Sequence, residues 1–146
     1  MEDRLLDDPS GAPAAASAPR ESVVVERLAD GTLQARARDV AVPVGRAGAG
    51  LRSSELLLAA LGSCMLGTML AFAENVGVEL DGVSLELEPV LAERPERVAE
   101  IRMTMRIAGD VEPRRLESLR RVAEHCKVHS TLERQPALTL DVQLPR

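Results

Sequence analysis

Aromatic side chains are almost missing from this chain: Phe72 is the single one among 146 residues, with no Trp and no Tyr. The core must therefore be built from Leu, Val, Ala, Met and Ile, and a pocket within it is aliphatic, with little surface on which a nucleobase or sugar could stack. A basic excess is missing as well. The net charge of -5 and pI near 5.1 argue against a nucleic-acid partner, which usually shows itself as a basic patch. Lysine is nearly absent: Lys127 is the sole one, and arginine supplies every other fixed cation. No run approaches the ~20 apolar residues of a membrane span, because Glu55 and Glu74 bound the longest. The acidic opening "MEDRLLDD" does not follow the charged-then-apolar pattern of a secretion signal. The expected compartment is the cytoplasm, with neither nucleic acid nor membrane as partner. Two cysteines in that compartment point to redox chemistry, metal binding or simple burial before a structural disulfide.

What is present suits one domain, since domains typically run to about 100–150 residues. Residues 1–20 end in "PSGAPAAASAPR", which is too poor in large apolar groups to order itself and reads as a flexible N-terminal tail. The folded domain is expected over 21–146. "ESVVVERL" reads as a strand, "ADG" as a turn and "TLQARARDVAVPV" as a second strand, followed by the glycine loop "GRAGAG". Gly45 to Gly48 has the form of an RNA-clamping G-x-x-G loop, but it follows a strand in an acidic chain, so a plain connection fits it better. Ser53 or Ser54 can cap a helix that continues to about Asn75 and stops at Gly77. That helix is apolar on nearly every side and must be covered on every side; a wrapping sheet or a second subunit can do this. "GVSLELEPVLAE" and "RVAEIRMTMRIAG" alternate as two strands joined by "RPE". A helix opening at Asp110 and Pro113 carries one stripe of Leu116, Leu119, Val122, Ala123 and Cys126, and "QPALTLDVQL" reads as a last strand. The order β-β-α-β-β-α-β predicts an α+β fold with helices packed on antiparallel sheet.

Cys64 and Cys126 thus fall on two different helices and face one core. They can be inert buried thiols, or they can form a transient disulfide if their Cα atoms come within ~7 Å. "EHCKVHSTL" surrounds Cys126 with His125, Lys127 and His129, and nearby cations favour the thiolate. The same residues, with Cys64, offer a zinc set, although they lack the paired short spacings of a structural site.

Two stretches carry a resemblance. "SSELLLAALGSCMLGTM" resembles the first active-site helix of the OsmC/Ohr family of bacterial thiol peroxidases, commonly written P-x-E-L-L-x-x-A-L-x-x-C. "AEHCKVHSTL" resembles the second, in which a cysteine is usually followed by Pro-Val and then Thr-Leu or a close variant. The likeness runs over roughly residues 20–146. It implies an intertwined homodimer, with antiparallel sheet wrapped around two central cysteine-bearing helices. It implies a peroxidatic Cys64 attacking an organic hydroperoxide, a resolving Cys126, and a dithiol reductant, lipoyl-type in the better-known branches. Neither metal nor other cofactor is needed.

The chain departs from the family pattern in three places. The best-studied branches carry an acid ten positions before the peroxidatic cysteine, where this chain has Ser54; the acid is Glu55, nine before. On a continuous helix nine residues rise ~13 Å and turn about 180°, so Glu55 can serve Cys64 only if the segment before the helix folds back. The family's activating arginine falls nearest Arg46, with Arg38 and Arg52 as rivals. Lys127 stands where the family's proline follows the resolving cysteine. Catalytic candidates are therefore Cys64, Cys126, Arg46 and Glu55, in a thiol-dependent peroxidase; the alternative is an OsmC-like dimeric domain that binds an apolar small molecule with little or no peroxidase activity.

Overall fold

The computed structural model describes residues 21–45 and 50–144; the expected tail over 1–20 and Arg46, with the loop 46–49, lie outside them. The chain divides into two compact units, Met1–Gly50 and Leu51–Arg146.

The first unit contains an antiparallel meander of β1 (Val24–Arg27), β2 (Leu33–Ala37) and β3 (Val40–Val44), in that order. The "ADG" turn forms as expected. Gly31 takes φ +88°, and the Asp30 carboxylate accepts the Thr32 N–H at 2.9 Å and its hydroxyl at 2.6 Å. The single strand expected over 32–44 is instead two strands folded at Arg38–Asp39, where Ala37 pairs with Val40. Two-residue hairpins usually announce themselves with Asn-Gly or Asp-Gly. Here Arg38 adopts the left-handed φ of 53° without that signal, so the apolar alternation reads straight through the turn.

The second unit opens with α1 (Ser53–Asn75). Its cap is Arg52 rather than a serine: the Glu55 carboxylate accepts the Arg52 N–H at 2.8 Å, which is the carboxylate half of a capping box. The end matches the expectation. Gly77 at φ +70° donates to the Glu74 carbonyl, and Val78 donates to that of Ala73, which is the paired closure of a Schellman motif. Next come β4 (Gly82–Glu93) and β5 (Glu96–Ala108), an antiparallel pair joined across Arg94–Pro95. Val83, Leu85 and Leu87 face the helices together with Ile101, Met105 and Ile107, while Ser84, Glu86 and Arg106 face outward. The register shifts between Val90 and Leu91, and this extra residue lets Val98 keep the face of Ile101 despite their odd spacing.

The second expected helix is broken in two: α2 (Pro113–Ala123) and α3 (Lys127–Arg134), with Cys126 between them in extended conformation. Both pack on α1, which also lies on β4. Leu61, Met65, Met69, Leu119, Ala123 and Cys126 form the buried core. Gly62 lets α1 approach the sheet closely, for a Cβ there would stand 2.9 Å from Leu87 Cδ1.

Two expectations change at this level. By length and composition α1 does reach the span of a membrane helix, because 23 helical residues include only the flanking acids Glu55 and Glu74. It is also not covered on all sides within one chain: Ala59, Ala60, Ser63, Gly67, Leu70 and Ala71 are exposed. "QPALTLDVQL" forms no strand; residues 135–144 carry no regular structure, and Leu138, Leu140 and Leu144 are 89–90% exposed. A strand needs ladder partners for its backbone groups, and a pattern of period two cannot supply them by itself.

The Schellman closure gives a stability prediction. Gly77→Ala places a Cβ at φ +70° and should lower the free energy of unfolding by about 1 kcal/mol, read as a lower urea midpoint with unchanged slope; an unchanged midpoint would remove the left-handed cap from the account.

Candidate active site

The site is built where the chain leaves α2. Glu124 and His125 continue the turn through main-chain bonds to Arg120 and Val122. Cys126 then takes φ -77°, ψ 159° and becomes the N-cap of α3. Its sulfur does what a serine or aspartate oxygen does at such a position: Sγ accepts the His129 N–H at 3.4 Å. One N–H earlier in the same turn, Val128 donates to Cys64 Sγ at 3.5 Å. Two sulfurs 62 positions apart, one from the middle of α1, therefore share the amino end of one short helix. Each thiol also shifts the ionisation of the other.

These contacts divide the two thiols electrostatically. Cys64 is half-buried, and its pKa falls below the ordinary thiol value; the Val128 N–H is the largest cause, opposed by desolvation and aided by the Cys126 thiol and by Lys127. Hydrogen bonds to the charged form favour that form, and the helix dipole acts in the same direction. Cys126 is 1% exposed, and its pKa rises, chiefly through burial and then through its contact with Cys64, against the lowering effect of the His129 N–H. One sulfur is thus an accessible thiolate in the making, while its neighbour is a buried thiol.

The remaining sequence candidates sit elsewhere or do other work. Glu55 lies in the first turn of a continuous α1, where it holds the Arg52 N–H. The fold-back that would bring it toward Cys64 does not occur along this helix, since nine helical residues separate them by ~13 Å. Arg52 caps α1, Arg38 forms the β2–β3 turn, and Arg46 lies outside the described residues. His125 Nδ1 is 2.6 Å from the Arg121 carbonyl. His129 lies 3.6 Å from Glu133 Oε2, and its Nδ1 is buried without a hydrogen-bond partner among the described residues. Among those residues no group of three His, Cys, Asp or Glu gathers to hold a metal, so the zinc set considered from the spacing is not assembled. A cavity of about 320 Å³ reaches His129 but neither sulfur; Leu57, Leu61, Met103 and Leu132 line it together with the acidic residues Glu100 and Glu133.

The groups that sequence reasoning missed are the main-chain N–H donors of Val128 and His129. A backbone donor leaves no mark in residue type. The available signal was the start of a new helix directly after Cys126, and Lys127 hides it, because proline is the residue that usually announces a first helical position.

Cys64 should therefore be alkylated before Cys126. Because the rate follows the thiolate fraction, it climbs as pH rises through each pKa; the Cys64 profile in iodoacetamide should have its midpoint below the ordinary thiol value and the Cys126 profile above it. Mass spectrometry of each peptide against pH reads both, and coincident profiles would contradict the division.

Comparison with known proteins gives the following. The family model for OsmC-like protein matches residues 46–141. An OsmC-like protein from Mycoplasma pneumoniae superposes with TM-score 0.71 at 16% identity, covering 80% of this chain and 89% of that one. A protein from Psychrobacter arcticus, described as an osmotic stress induced and detoxification response protein, gives 0.68 at 19% identity, covering 76% and 87%. An organic hydroperoxide resistance protein OsmC from Legionella pneumophila gives 0.54 at 17%, covering 77% and 89%. No curated protein matches the chain. At these identities the structural likenesses speak for the fold: antiparallel sheet with helices in an α+β arrangement.

Proposed function

The chain belongs to the OsmC-like protein family, and on that footing we propose that it is a thiol-dependent peroxidase for organic hydroperoxides, working as a homodimer in the cytoplasm. The observation that carries the reading is the asymmetric sulfur pair at the start of α3: a half-buried Cys64 held by the Val128 N–H, with a lowered pKa, and a buried Cys126 held by the His129 N–H, with a raised one.

In the first step the Cys64 thiolate attacks the distal oxygen of ROOH. The S–O bond forms as the O–O bond breaks, and the departing alkoxide takes a proton to leave as alcohol. Sulfur has lost two electrons and stands as the sulfenic acid. Burial still raises the Cys126 pKa, but neutral Cys64 no longer adds its charge to that effect, which eases ionisation of the second thiol once the first has been spent. Cys126 then attacks; the S–S bond forms, the S–O bond breaks, and water leaves. A small dithiol, of the lipoyl type, returns two electrons and two protons by exchange and departs as its own disulfide. The Val128 N–H serves throughout as a fixed donor for sulfur-borne negative charge. Arg46 is assigned as the guanidinium that completes Cys64 activation, and Glu55 holds the start of α1. The aliphatic side chains packed around Cys64, among them Leu61, Met65 and Leu66, suit an alkyl hydroperoxide better than hydrogen peroxide.

The dimer is supported by what one chain leaves uncovered: the small-residue side of α1 and the alternating leucines of 138–144. Burying such surface is the dominant drive to association. Light scattering should give twice the 15.7 kDa chain mass; a stable monomer would refute this arrangement.

For the chemistry, one equivalent of cumene hydroperoxide added to reduced protein should consume both thiols and leave a Cys64–Cys126 disulfide in the peptide map. Cys64→Ser should not react, and Cys126→Ser should stop at a sulfenic acid trappable by dimedone. Thiols that survive excess peroxide would end the peroxidase reading in favour of a domain that binds apolar small molecules.

A further inference from the structure

Lys127 is the only lysine in the chain, and it occupies the first position of α3, between the N-cap Cys126 and Val128. For helix stability this is a poor place for a cation. The macrodipole puts partial positive charge at that end, which disfavours a basic side chain there. Proline would be the better first residue, since its missing N–H is not needed by the helix and its φ is already set. The basic residue that the dipole welcomes, Arg134, is in the last turn. A local rule broken at one position calls for a compensating gain there. One such gain lies at the sulfur pair, for the helix end faces an anion whenever Cys64 is ionised.

We propose that Lys127 is a positioning residue for the Cys64 thiolate, giving the sulfur pair both a main-chain donor and a cation that a proline in the same place would not provide. The neighbouring donor geometry supports this: the Val128 N–H reaches Cys64 Sγ at 3.5 Å and the His129 N–H reaches Cys126 Sγ at 3.4 Å, so the N–H of Lys127 belongs to the same fan. The Val128 N–H is the largest influence that lowers the Cys64 pKa, and the N–H and the charge of Lys127 act in the same direction. A cation at this end acts on the thiolate from the side of the resolving cysteine. It stays with the sulfur pair wherever Arg46 lies.

The inference rests on Cys64 as the attacking sulfur, and its test separates the two. Iodoacetamide reads the thiolate with no peroxide present. The pH profile of Cys64 alkylation, followed by peptide mass spectrometry, is compared among wild type, Lys127→Ala, Lys127→Arg and Lys127→Pro, with circular dichroism to confirm the fold of each. Lys127→Ala removes the charge and keeps the N–H; Lys127→Pro removes both in a residue suited to the position. Below the midpoint, alkylation should slow about threefold in Lys127→Ala and about tenfold in Lys127→Pro, tenfold corresponding to one pKa unit. Lys127→Arg should restore the wild-type profile. Added salt should slow wild type toward Lys127→Ala, because an exposed charge is screened. A Lys127→Ala profile superimposed on wild type, or an Arg variant as slow as the Ala variant, overturns the assignment. A protein whose thiols ignore peroxide yet show the shifted profiles would keep the role of Lys127 and lose the peroxidase.

Discussion

The main-chain N–H groups at the start of α3 are the contact on which this site depends. A helix begins with N–H groups that its own backbone cannot satisfy, and here sulfur satisfies two of them. One interaction therefore does three things. It starts α3, it fixes the position of Cys126 between two helices, and it ties the middle of α1 to a segment 62 residues away. A sulfur is a weak acceptor when protonated and a strong one when ionised, so the same contact that caps the helix also biases Cys64 toward thiolate.

The aliphatic core shapes this arrangement. With Phe72 as the only aromatic residue, close approach of helix and sheet falls to small side chains, as at Gly62 under Leu87, and to flexible Met65 and Met69. Desolvation by such a core raises both thiols. Cys64 escapes the net effect because the donor from Val128 outweighs its burial, whereas Cys126 is buried too completely for the donor from His129 to compensate. The difference between the two sulfurs is thus one of burial first, and then of hydrogen bonding, since the interaction between the thiols lowers Cys64 and raises Cys126. In the peroxidase proposed above, that difference sets the order, with the accessible sulfur reacting first.

Much of this was legible in the residues. The long apolar helix, its stop at Gly77, the β4–β5 pair about Arg94–Pro95 and the inward stripe of Leu119, Ala123 and Cys126 each follow from a local pattern with a physical cause. The features that escaped share a cause too. The turn at Arg38–Asp39 lacks the glycine or asparagine that usually marks a positive φ. The break after α2 lacks the proline that usually marks a first helical residue. The role of Glu55 depended on whether the chain before Cys64 folds back or continues as helix, and both are open to the same letters. The final alternating segment shows its period but not its partner, since a strand's stability lies in another strand.

The two sulfurs, the aliphatic surroundings, the acidic net charge and the family follow from the amino-acid sequence, because residue types and their spacing carry that information directly. The fold alone brings main-chain donors to the two sulfurs. The decisive donors are backbone amides, identical in every residue but proline, and they acquire chemical meaning only when the fold brings the amino end of α3 against a cysteine in the middle of α1.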